Sequence, residues 1–244
     1  VVKILFFVCY SFTVSAQLPA EESTDYLYKK NWCLGIQLAT NGFGANFTFE
    51  RNINAKFKHG LHLLIGSLKG GKETRITNSV YADSRSYVFG KINLLFTSRA
   101  AYSGSWLIFE RRRARGVTIR FTPAIGPSMG IIKPIYLKIK DPFAQVGEIE
   151  PQSLRYDPFI HTNQKIYGRA SVWKGFSEST YALGVYLKSG FQFDFSSNNN
   201  RITAVEIGLQ LDCFSKKIDL FYLGDNAKIF PGFYASVQFG KNKI

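Results

Sequence analysis

The stretch from Arg201 to Phe214, RITAVEIGLQLDCF, sets Val205, Ile207, Leu209, Leu211 and Cys213 in one row and Glu206, Gly208, Gln210 and Asp212 in the other. Alternation with a period of two marks a strand whose two faces meet different surroundings. It recurs along the chain, and the recurrence restricts the fold more than any other feature. Residues 32 to 40 set Trp32, Leu34, Ile36 and Leu38 against Cys33, Gly35, Gln37 and Ala39. The dipeptide Asn41-Gly42, a strong hairpin signal, leads into Ala45, Phe47 and Phe49 opposed to Asn46, Thr48 and Glu50. Further segments of this kind are centred on Leu61 to Ile65, Val88 to Phe96, Val117 to Ser128, Leu183 to Phe195 and Phe233 to Phe239. Pro123 and Pro127 interrupt one of them and predict a bulge or local edge there, because proline cannot donate to a sheet ladder.

Eight strands result, in a chain of 244 residues that suits one large domain. Aromatic residues make up 16% and methionine occurs once, which favours strands over helices. Segments of about nine residues or more can cross a bilayer when tilted. The polar rows are mostly Gly, Gln, Asn, Ser, Thr and Tyr with isolated charges of both signs. Such a row suits a crowded interior better than a water-exposed face of long charged side chains. The fold class predicted is all-β, an eight-stranded antiparallel transmembrane β-barrel built as a meander. Two alternatives stay open: ten strands, with Ser105 to Glu110 in an extra pair, and a soluble lipocalin-like barrel, which would turn the apolar rows inward.

The polar rows place Glu50, Lys91, Arg120, Lys188, Asp194, Glu206 and Asp212 in the interior. Buried charges must be paired, so a structural network across the lumen is expected, with Glu206 and Asp212 meeting Lys91, Arg120 or Lys188. A narrow channel or proton relay is the alternative use of the same groups. It needs room that an eight-stranded barrel hardly leaves.

The first sixteen residues combine Lys3, an apolar run from Ile4 to Phe12 and small residues at Val14 to Ala16, which predicts a signal peptide. Residues 17–31 then form a periplasmic N-terminal segment, and 32–244 the barrel. An exported chain rarely meets nucleic acid, so the net charge of +14 is read against other anions. The anionic groups met outside the inner membrane are lipid phosphates and acidic glycans, so outer-membrane lipids are the partners expected, together with other envelope proteins. The location implied is the outer membrane of a Gram-negative bacterium. Cys33 and Cys213 make no disulfide framework, and His59, His62 and His161 lack the short spacing of a metal site, so no metal or cofactor is expected.

With an even strand count both chain ends lie in the periplasm. The connections Lys69 to Ser86, Lys140 to Tyr181 and Phe214 to Lys228 then lie outside, and Asn52 to Lys58 and Ser196 to Asn200 lie inside. One connection does not fit. Residues 97–116 ought to be a short inner turn, yet they hold Trp106 and Phe109 beside Arg111, Arg112, Arg113 and Arg115. Apolar and cationic groups so close suggest a membrane interface. The plainer reading is that the flanking strands run on past the bilayer. The long extracellular loop 140–181 carries Tyr156, His161, Tyr167, Arg169 and Trp173, an aromatic content that marks it for recognition and for folding over the barrel mouth.

No serine stands in a recognisable motif beside His62 or His161, so a non-catalytic structural, accessory or partner-binding protein is favoured over a lipid A or phospholipid hydrolase. The segments YDPFIHTNQKIYGRA, AVEIGLQLDCFSKKI, KINLLF and FYASVQFGKNKI resemble an uncharacterised family of outer-membrane β-barrel proteins from Bacteroidota. That resemblance implies the fold and the location and carries no activity with it.

Overall fold

A computed structural model describes residues 30–54, 56–70, 73–78, 81, 84–111, 116–140, 151–196, 201–222 and 226–243. The signal-peptide segment, residues 17–29, Arg112, Arg113 and Arg115 lie outside the described residues. Fourteen strands follow in chain order: β1 Lys30–Ala39, β2 Gly42–Asn52, β3 Phe57–Leu68, β4 Arg75–Ile76, β5 Tyr87–Val88, β6 Asn93–Phe109, β7 Thr118–Phe121, β8 Ala124–Pro134, β9 Tyr136–Ile139, β10 Gln152–Arg155, β11 Ile166–Arg169, β12 Thr180–Asp194, β13 Arg201–Ile218 and β14 Ala227–Lys243.

The main sheet runs β13-β14-β1-β2-β3-β6, continues through β7 and β8 to β12, and returns to β13. β7 and β8 are halves of one member, since both lie between β6 and β12. Eight members therefore close a ring, each paired antiparallel on both sides. The first and last strands meet over ten residue pairs, from Lys30 with Lys243 to Ala39 with Tyr234.

The break between β7 and β8 falls at Thr122 and Pro123, where the pairing with β6 also shifts between Leu107 and Phe109. Pro123 has no N–H to give, but its carbonyl accepts from the Gly104 N–H at 2.9 Å, and the Thr122 N–H donates to the Gly190 carbonyl at 2.8 Å. The bulge expected from the proline is thus present, with its backbone groups satisfied.

β6 follows the plainer reading and corrects one alternative. Residues 97–109 continue the flanking strand as the greater part of a seventeen-residue β6, and among the described residues the ring has no ninth or tenth member. Trp106 pairs with Phe57 on one side and Phe121 on the other. The segment runs on as a strand because its period of two persists: Leu95, Thr97, Arg99, Ala101, Ser103 and Ser105 are all buried, while Tyr102 and Trp106 are exposed.

The apolar rows face outward. Ile36 is 68% exposed, and every member of the ring contributes: Leu38, Phe47, Ile65, Trp106, Ile125, Leu183, Leu209 and Phe233 are among the exposed side chains. Gln37, Asn46, His62, Ser128, Lys188, Glu206 and Ser236 are buried inside. A lipocalin-like arrangement would have the rows reversed, so that alternative does not describe this chain.

The strand ends divide cleanly. Residue 30, residue 243 and the links 53–56, 110–117 and 195–200 lie at one end, and the longer links 69–92, 135–179 and 219–226 lie at the other with the tight turn at Thr40 and Asn41. At the long-link end the interior turns apolar, with Leu68, Leu95, Ile132, Phe214, Ile218, Leu220 and Phe230 in one buried cluster. Above it sits a cap with a core of its own, Tyr87, Leu137, Tyr156 and Ile166. In the cap β9 lies between β10 and β11, and β4 pairs β5. A parallel bridge from Arg85 to Gly168 ties the two pieces together. Gly168 has φ 150°, and a Cβ there would come within 2.8 Å of the Arg85 backbone, so the bridge needs glycine.

Candidate functional site

The polar interior is organised around one carboxylate. Glu206 comes from the middle of β13, where its neighbours Val205 and Ile207 turn outward, and it is 2% exposed. Its Oε1 accepts from the Thr122 hydroxyl and the Tyr234 hydroxyl, each at 2.7 Å, and its Oε2 accepts from Gln238 Nε2 at 2.6 Å. Lys188 Nζ stands 2.9 Å from one oxygen and 3.0 Å from the other. Four donors fill the acceptor capacity of a carboxylate. The Lys188 ammonium also sits 5.3 Å from the centre of the Tyr234 ring. Tyr234 reaches the acid because Gly190 makes room: a Cβ on Gly190 would lie 2.2 Å from the Tyr234 hydroxyl.

A second ion pair lies nearer the cap. Arg99 donates through Nε and Nη2 to the two oxygens of Asp212, both at 2.8 Å. This fork-to-fork geometry is the strong form of the contact. Asp212 is wholly buried, and the Tyr186 ring lies 5.0 Å from the Arg99 guanidinium. Between the two pairs the interior is crossed by neutral bonds, Gln37 to Gln210 at 2.6 Å and Asn46 to Ser236 at 2.8 Å. Towards the short-link end Glu50 lies within electrostatic reach of Lys58 and Arg120. The space left among Glu50, His62, Ser103, Thr122, Lys188 and Glu206 is a cavity of about 20 Å³, on the scale of a water molecule.

The structure brings Glu206 and Lys188 together as the sequence suggested, and it sets Glu50 and Arg120 in the same interior. Two of the expected struts stand elsewhere. Lys91 precedes β6 and pairs with Glu73 beneath the cap, so it meets neither interior acid. Asp194 ends β12 and accepts from the Ser196 N–H at 2.8 Å and from its hydroxyl, which secures the start of a short link. The partner of Asp212 is Arg99, which the sequence reading had left in the connection. Following the alternation of β6 past Phe96 would have found it.

The loop residues divide in the same way. Tyr156 is buried in the cap core, its hydroxyl accepts from the Gly90 N–H at 3.3 Å, and burial holds its phenol above the ordinary tyrosine range. His161 stacks on Tyr156 with ring centres 6.3 Å apart, and its Nδ1 accepts from the Asp157 N–H at 3.0 Å. Tyr167 packs on Tyr81 at 5.3 Å. Arg169 is exposed at the end of β11. Trp173 is 81% exposed and packs on Phe176, while Phe159, also exposed with Ile160, packs on Tyr222. Trp106 and Phe109 are exposed at the short-link end of β6, and Arg111 donates to the Ser196 carbonyl.

His62 is buried in the interior, with Nδ1 2.9 Å from the Thr48 hydroxyl. Among the described residues no group of three or more His, Cys, Asp or Glu is placed to hold a metal ion. The arrangement is that of a braced interior, in which the Thr48 hydroxyl beside His62 is closed off with the imidazole.

No family model matches the chain, and no curated protein does. Among the solved structures it is similar to are bacterial proteins, including a surface protein and a β-barrel domain. One is Ail, the attachment invasion locus protein of Yersinia pestis, at 9% identity and a TM-score of 0.44 over 88% of this chain and 97% of that one. Ail is also known in complex with the heparin analogue sucrose octasulfate. Neisserial surface protein A gives 6% identity and 0.45 over 88% and 96%. The N-terminal β-barrel domain of Pseudomonas aeruginosa OprF gives 7% and 0.37 over 88% and 97%.

Proposed function

We propose that this chain is an integral outer-membrane β-barrel of a Gram-negative bacterium, and that it works without catalysis as a structural or accessory protein that presents its cap to a partner. One observation carries the reading: a closed ring exposes apolar side chains from every member while its interior is polar, charged and filled. In water each such side chain would forgo roughly 1.5–3 kcal/mol of burial, and soluble proteins rarely expose apolar patches of more than a few hundred Å². Lipid removes the conflict, and a closed ring leaves no unpaired strand edge within it. The short-link end faces the periplasm and the cap faces outward, the usual arrangement of outer-membrane barrels. The Bacteroidota source rests on the sequence resemblance alone.

The cap supports the partner-binding half of the reading. It has a core of its own, and Trp173, Phe159 and Ile160 stand exposed on it. The alternatives have less support. His62 is sealed in the interior and the Nδ1 of His161 is taken by a backbone N–H, so neither candidate base of a lipid hydrolase stands open. A cavity of about 20 Å³ under an apolar plug is no ion path.

Membrane fractionation with gel mobility before and after boiling tests the assignment. The protein is expected in the detergent-extracted outer-membrane fraction, with a compact unboiled form that migrates apart from the boiled one. Release into the soluble periplasm without detergent would end the reading.

A further inference from the structure

At the short-link end, strand register gathers five cations on the outer face of β13, β14, β1 and β2. Lys30 lies directly across from Lys243 on one side and from Arg51 on the other. Lys241, opposite Trp32, lies across from Arg201. All five side chains are exposed. Neighbouring strands are only about 4.8 Å apart, and like charges set opposite each other on a sheet repel, so this collar stands against its own field. The nearby carboxylates among the described residues give no relief. Glu50 pairs across from Asn31 in the inward row, and Asp194 is turned to Ser196. Among the described residues none of the five cations forms a salt bridge.

On the same face of the same strands, Trp32 lies across from Phe49, and Phe239 is the outward residue next to Lys241 on β14; the three are 40%, 41% and 60% exposed. Exposed aromatic side chains bordering cations on one face match the edge of a bilayer, where hydrocarbon gives way to headgroup phosphate. Lysine and arginine stems are long enough to lie along the apolar surface while the charge reaches the phosphate.

We propose that this collar is a binding surface for the anionic headgroups of phospholipids in the leaflet at the short-link end. It rests on the transmembrane reading above. It is separate from the arginine segment after β6, which leaves the ring three members further round from β1. Four adjacent strands present the cations as one surface, so the collar gathers anionic lipid at one side of the barrel.

The test uses the full chain with Trp106→Phe and Trp173→Phe, so that Trp32 alone emits. The protein is placed in vesicles whose brominated acyl chains are carried by either phosphatidylcholine or phosphatidylglycerol. Brominated phosphatidylglycerol is expected to quench Trp32 with an apparent lipid affinity roughly fivefold above phosphatidylcholine. Replacing Lys30, Arg51, Arg201, Lys241 and Lys243 by Gln should bring the ratio to one. Raising salt to about 0.5 M on the parent should lower it in the same direction, a readout that holds even where the fivefold variant does not assemble. A ratio that survives both unchanged overturns the proposal, and so does a parent ratio of one. Should that ratio rise on Glu21→Gln, Glu22→Gln and Asp25→Asn, the collar's occupant is the chain's own acidic segment instead. Failure of either brominated lipid to quench Trp32 would remove the transmembrane reading itself.

Discussion

Single side chains in the interior matter through their partners. Removing one member of a buried ion pair leaves the other charged and unpaired, at about 3–5 kcal/mol. Arg99→Met or Asp212→Leu alone should therefore lower the midpoint of denaturant unfolding by a clear margin. The double variant should recover much of the loss, because an apolar pair of similar volume needs no counter-charge. A double variant no better than the singles would show that the fork geometry itself holds the ring. Glu206 was legible from the sequence because alternation sets it opposite Val205 and Ile207. Its neutral partners Thr122, Tyr234 and Gln238 were not legible, since they arrive from β14 and from the break beside Pro123, at separations only the closed ring brings together. Arg99 was missed for a different reason. Ser98 and Ala100, which alternate with it, are too small and too little apolar to mark an outward row.

At the scale of the element, the faces of a strand respond oppositely to charge. Ile207→Lys, on the outward row of β13, should cost about 2–4 kcal/mol for a cation held at mid-bilayer depth. It should appear as a lower yield of the heat-modifiable form in vesicles and a lower unfolding midpoint. Equal stability of the variant and the parent would mean that this face meets water. Strand identity and facing could be read from period two almost throughout, as in β1, β2, β12 and β14. Strand ends could not: β13 runs on to Ile218 and β6 to Phe109, beyond the expected boundaries, because pairing with neighbours decides where a strand stops. Small strands such as β9, β10 and β11 left no alternation long enough to register.

For the whole molecule, the interior changes character along its axis, from the Glu206 and Arg99 pairs to the apolar plug and then to the cap. This layering predicts electrical silence. Purified protein in a planar bilayer should give no reproducible conductance steps, and Leu95→Ala with Phe214→Ala, which thins the plug, should not open a path while the ion pairs remain. Steady single-channel openings from the parent would mean that the interior rearranges in lipid. Composition and charge pointed to an envelope protein with a filled barrel, but the plug lay beyond them, since its members come from six members of the ring and one of its links.

The seam between β1 and β14 has a consequence for how such a chain is made. Its ten pairs join residues from opposite ends of the sequence, so the longest loop in the molecule must close before the ring exists. Until the last strand is in place, the chain carries two bare edges, each an invitation to pair with another copy. The molecule is therefore most exposed to misassembly before β1 and β14 meet, and until then both edges need shelter together.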